Sequence, residues 1–161
     1  AAFPAVGRLM PDYYCMDGTI PKRKLAEVLR GIAKLSEEFG LGCPNVFHAG
    51  DGNLHPLIMF DANIPGQAEH AAKFGSRILQ LCIGTGGTIT GEHGVGVEKI
   101  GEMCEQFTPD ALAAFHAVKA AFDEHGLLNP GKAVPTLHRC AEFGAMHVQR
   151  GKEAFPDLPR F

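Results

Sequence analysis

Two short segments hold the residues most able to do chemistry: His48-Ala-Gly-Asp-Gly-Asn-Leu-His55 and Thr90-Gly-Glu92-His93-Gly-Val-Gly96. Together they set three histidines and a glutamate on glycine-rich turns. Imidazole nitrogens and carboxylate oxygens are the donors a zinc-like ion takes. Glycine lets a chain turn sharply and lets a ligand come close to the backbone.

The spacing sharpens that reading. If residues 50–53 form a hairpin loop, Ala49 pairs with Leu54 and His48 pairs with His55. Directly opposed residues share a face, with Cβ atoms about 4.5–5.5 Å apart, so the two imidazoles can share one ion. A slip of one residue would put them on opposite faces. Glu92, just after a short fourth strand, supplies the third ligand. A set of two histidines and a carboxylate leaves coordination positions open to a substrate. His93, beside Glu92, is then a candidate base, and Asp51 and Asn53 can hold the histidines' second ring nitrogens or touch the substrate. The plain alternative is a few ordinary polar residues near a hairpin. A histidine pair at hairpin spacing together with a Glu-His dyad favours the metal.

Other candidates carry less. Gly126-Leu-Leu-Asn-Pro-Gly131-Lys132 fits the spacing of a phosphate-binding loop, but Ala133 stands where Ser or Thr is needed, and the segment follows a helix and contains Pro130. His70, His116, His125, His138 and His147 show no partner spacing and read as surface or packing residues.

Elements must position these groups. Tyr13 to Asp17 reads as a strand, Thr19 as a helix cap and Pro21 as a first helical position. Leu25, Val28, Leu29, Ile32, Ala33 and Leu35 recur at helical spacing until Gly40 and Gly42. Asn45–Ala49 and Leu54–Phe60 read as the hairpin strands. Pro65 and Gly66 open a second helix that ends by Gly84–Gly87, and Thr88–Thr90 reads as a short strand. The order β-α-β-β-α-β predicts an α+β, ferredoxin-like split βαβ fold over 1–91. Beyond it, two helical segments are expected near 94–104 and 109–125, within a helical region 92–135. An irregular, proline-broken tail follows over 136–161.

Composition sets the class. The chain has 161 residues, 45% of them hydrophobic, with a formal charge of −3, as in a soluble globular protein. No basic run suggests nucleic acid, and no apolar stretch nears the roughly 20 residues of a membrane span. Cys15, Cys43, Cys82, Cys104 and Cys140 are scattered and include no C-x-x-C. They read as reduced cytosolic thiols, with Cys82 and Cys104 buried in helical patterns.

The two histidine segments, Gly126-Leu-Leu-Asn129-Pro-Gly-Lys132 and the tail Pro135-Thr-Leu-His-Arg-Cys-Ala-Glu-Phe-Gly resemble the C-terminal region of FAD-linked oxidases of the vanillyl-alcohol-oxidase type. D-lactate and D-2-hydroxyglutarate dehydrogenases are relatives, and the likeness is nearest to the flavoprotein subunit of glycolate oxidases. The resemblance implies that His48, His55 and Glu92 hold a divalent metal such as zinc, iron or manganese, which binds the carboxylate and hydroxyl of a 2-hydroxy acid. His93 would take the hydroxyl proton while hydride passes to the flavin, and Asn53 would sit near the substrate. Asn129 and Lys132 would lie where the chain returns to the flavin domain.

The same resemblance implies partners in a glycolate-oxidase-like complex. It also implies a cytoplasmic location, peripheral at the inner face of a bacterial membrane through those subunits. The chain shows no candidate for the family's flavin-binding domain, so it reads as the substrate side of such an enzyme, inactive alone. The competing class is a stand-alone ferredoxin-like metal- or ligand-binding module. Exposed apolar surface and a tail carrying Phe143, Met146, Val148, Phe155, Leu158 and Phe161 lead to a further expectation, a two-fold homodimer.

Overall fold

The computed structural model describes residues 2–135. The expectations for 136–161 lie outside them. Two compact units divide the chain, one up to Val95 and one from Gly96.

The first unit is built on β4 (Asn53–Phe60), an eight-residue strand whose Leu54, Leu57 and Ile58 are fully buried. β1 (Asp12–Cys15) and β2 (Gly18–Thr19) run end to end along β4 in one antiparallel register, from Asp12↔Phe60 to Thr19↔Asn53. β3 (Asn45–His48) pairs with residues 53–56 on the other edge. The break between β1 and β2 has a local cause. Pro56 accepts the Met16 N–H at 3.1 Å but has no N–H to return, so the ladder lapses there.

α2 (Leu25–Phe39) and α3 (Gln67–Gly84) pack on each other, and α3 lies on one face of the sheet. Val28, Ile32, Phe74, Ile78 and Leu79 are buried, and Phe39 stacks on Phe74 at 5.0 Å. Gly40, at φ 65, ends α2 as expected. Gly18 faces Leu79 and Cys82 of α3, and Gly75 of α3 faces Tyr14 and Met16. Side chains alternate across a strand, so Cys15, Asp17, Thr19, Asn53 and His55 point to the opposite face. α1 (Ala2–Val6), which the sequence did not suggest, brings Phe3 to Tyr13 with ring centroids 5.9 Å apart.

The architecture is thus mixed helix and antiparallel sheet, in the α+β class expected. Counting β1 and β2 as one strand, the ferredoxin-like strand order holds, with the fourth strand reduced to one bridge, Thr19↔Thr88. Thr19 is not a helix cap. It pairs with both Asn53 and Thr88, and the chain enters α2 through a 3₁₀ turn at Lys22–Lys24. Cys15, Cys43 and Cys82 are free, as the expectation of reduced thiols has them.

The second unit contains α4 (Ile100–Gln106) and α5 (Pro109–Phe122). Its first helix starts later than expected. Gly94 and Gly96 have φ 83 and 54, a left-handed backbone that no α-helix accepts. Thr108 caps α5 by accepting the Ala111 N–H at 3.3 Å. Asp123 closes the other end, accepting from Lys119 at 2.6 Å and from the Leu127 and Leu128 N–H groups.

Candidate metal centre

The hairpin between β3 and β4 turns over residues 49–52, one residue earlier than its sequence suggested. The Asp51 and Gly52 N–H groups both bond to the His48 carbonyl. Gly52 has φ 86, and a Cβ there would strike the Ile20 carbonyl. Asp51 accepts the Asn53 N–H at 3.0 Å and so stabilises the exit from the turn.

The earlier turn changes the register. His48 pairs with Asn53 and Val46 with His55, so His48 and His55 are diagonal neighbours and not direct partners. The expected pairing is wrong by two positions, an even number, and the shared face survives. The two rings lie 5.5 Å apart, nearly edge-on. His55 is buried and His48 is exposed.

Glu92 reaches this face from the loop after Thr90. Its Oε1 lies 2.8 Å from His55 Nε2 and 3.4 Å from His93 Nε2. The His93 ring sits 5.1 Å from that of His55. One donor atom each from His48, His55 and Glu92 falls within 4.8 Å of the others. Bonds of about 2.0–2.2 Å to a shared ion hold donors no more than about 4.4 Å apart, so small side-chain rotations close the set. Two neutral imidazoles and a carboxylate fit a borderline-soft divalent cation.

Asn53 lies beside the histidines on the same face, buried, its Oδ1 accepting from Thr19 Oγ1 at 3.3 Å. Gly91 packs so tightly on Thr19 and Asn53 that no Cβ fits there. Asn129 and Lys132 belong to the second unit. Both are exposed, and Asn129 has φ 46 in a loop whose Gly126 and Gly131 are also left-handed. Burial pushes the Cys43 thiol up to about 12, which excludes a thiolate nucleophile there at neutral pH.

Sequence reasoning missed one residue. Asp17 is fully buried on the site face, where the β1–β2 register carries it opposite His55. Its carboxylate accepts the backbone N–H groups of Gly91, Glu92 and His93 and the hydroxyl of Thr90. Its only sequence signal is a carboxylate at the end of a strand, which means nothing until the pairing of that strand is known.

Comparison with known proteins adds a family. The C-terminal domain of FAD linked oxidases matches residues 1–133. The glycolate oxidase subunit GlcD of Escherichia coli (strain K12) is 66% identical over 99% of this chain and 32% of that protein. Its namesake from Bacillus subtilis (strain 168) is 36% identical over 82% of this chain and 28% of that protein. A D-lactate dehydrogenase from Archaeoglobus fulgidus is 37% identical over 76% of this chain and 27% of that protein. The chain spans about a third of the length of these curated relatives, or slightly less.

Proposed function

The chain belongs to the FAD linked oxidases through their C-terminal domain, and on that footing we propose that it forms the metal- and substrate-binding part of a flavin-dependent 2-hydroxy-acid oxidase or dehydrogenase of the glycolate or D-lactate type. The observation that carries this reading is the convergence of His48, His55 and Glu92, with His93 alongside, on one face of the sheet.

His48, His55 and Glu92 would hold a divalent cation, which would supply Lewis-acid polarisation of a hydroxyl and charge for a carboxylate. His93 is half-exposed, its Nε2 3.4 Å from Glu92 Oε1, so it can reach a ligand entering from solvent. A neutral imidazole there accepts the hydroxyl proton of a 2-hydroxy acid. Glu92 then stabilises the resulting imidazolium at short range. Asn53, held by Thr19, keeps the hairpin exit fixed beneath the substrate. The flavin of the family would supply the hydride acceptor. Asn129 and Lys132 offer exposed N–H donors of the kind that phosphate and ring oxygens accept. Other subunits of a glycolate-oxidase-like assembly would take the electrons onward, and would account for any association with a membrane. Among the described residues, no helix is long and apolar enough to cross one.

The test uses the full chain loaded with Co²⁺, whose visible absorption reports its ligands. Glycolate and D-lactate are expected to shift the band, and acetate, which lacks the hydroxyl, to shift it less. His93→Ala should retain the ion and lose the distinction. An unchanged band with every 2-hydroxy acid contradicts the substrate reading.

A further inference from the structure

We propose that Asp17 is the positioning residue that sets Glu92 and His93 over the hairpin, a role that rests on the reading of this face as a metal and substrate site. The loop after Thr90 has no regular secondary structure of its own to fix it. The Thr19↔Thr88 bridge ties its start to the sheet. What fixes the rest is one buried carboxylate. Gly91 N–H bonds to both oxygens at 3.1 and 3.0 Å, Glu92 N–H at 3.3 and 3.2 Å, and His93 N–H to Oδ2 at 2.9 Å. Thr90 Oγ1 donates to Oδ2 at 2.6 Å and accepts the Gly94 N–H at 2.8 Å. Successive backbone N–H groups around an anion form a nest, and hydrogen bonds to an ionised acceptor are roughly twice as strong as neutral ones.

Asp17 cannot be a ligand itself in this arrangement. Its oxygens face the loop backbone, and it lies outside the group of converging donors. It acts through geometry. Three consecutive peptide planes are pinned, and the side chains of two of them, Glu92 and His93, are those that approach His55. The register of β1 and β2 with β4 sets Asp17 opposite His55 on the neighbouring strand, so the same short piece of sheet aligns the hairpin ligand and the loop ligand. Groups that support metal ligands in this way typically alter metal affinity by about 10- to 100-fold when removed.

The experiment is a double-mutant cycle in the full chain, with Co²⁺ alone as the probe. Asp17→Asn puts an amide among N–H donors and is expected to weaken Co²⁺ binding by about 10- to 100-fold. In a Glu92→Ala background the same change should alter affinity by less than about twofold, because the group it positions is gone. An equal loss in both backgrounds overturns the proposal, since Asp17 then affects the fold generally. Amide hydrogen exchange of Gly91, Glu92 and His93 without metal is the second readout. Protection is expected in the wild type and lost in Asp17→Asn, and retained protection in the variant overturns the proposal too. If Glu92→Ala leaves Co²⁺ binding intact, the metal reading fails and the exchange result alone decides the role of Asp17. Thr90→Val, with Thr90→Ser as the conservative rescue, repeats the test should Asp17→Asn not fold. Val should weaken binding and Ser restore it, and equal behaviour of the two contradicts the proposal.

Discussion

At the scale of single residues, the candidate site combines exposure with constraint. His55 is buried in a strand whose neighbours Leu54, Leu57 and Ile58 are fully buried. Each such side chain contributes about 1.5–3 kcal/mol by burial, so the core fixes the strand that carries His55. Glu92 and His93 are half-exposed and depend on what lies beneath their loop. Gly91 makes this testable. A methyl group there would meet Thr19 Oγ1 and Asn53 Oδ1. Gly91→Ala is expected to destabilise the chain by about 1–3 kcal/mol and to weaken metal binding, as read by circular dichroism melts and Co²⁺ titration. A neutral effect on both would mean the loop packs differently.

At the scale of elements, the two helices and the hairpin were legible because their signals are local: helical spacing from Leu25 to Leu35, and turn residues between Ala49 and Asn53. The hairpin register was not. It depends on Gly52, whose left-handed backbone and carbonyl bond to the Ile20 N–H close the turn one residue early. Gly52→Ala is expected to cost about 1–3 kcal/mol from backbone strain alone, with more from the clash at Ile20, and to release metal as the hairpin shifts. Wild-type metal content in a destabilised Gly52→Ala would uncouple turn from site.

In the second unit, Lys119 and two backbone N–H groups hold the Asp123 carboxyl below the ordinary carboxylate range. Its stabilising effect is therefore present above the ordinary carboxylate value and lost as pH falls through the lowered one. Asp123→Asn should flatten the acid limb of a stability-against-pH curve in that window, with little slope removed near neutral pH. An unchanged acid limb would mean the cap at the end of α5 does not form.

At the scale of the whole molecule, the side chains that converge on the site face were legible in the sequence and the means of bringing them together was not. His48, His55, Glu92 and His93 could be named from residue type and spacing, since an even error in register leaves the shared face intact. Asp17 could not be named, because its meaning comes from a non-local pairing with the strand that carries His55. An ion bound at about 100 times its dissociation constant should add about 2.7 kcal/mol of stability, or roughly 5–10 °C in Tm for a chain of this size.

The most direct measurement is metal stoichiometry and affinity, by elemental analysis and Co²⁺ titration, on the wild type and on His48→Ala, His55→Ala and Glu92→Ala. The expected result is about one ion per chain in the wild type and at least about tenfold weaker binding in each variant. Equal occupancy and affinity in the wild type and His55→Ala would contradict the metal centre.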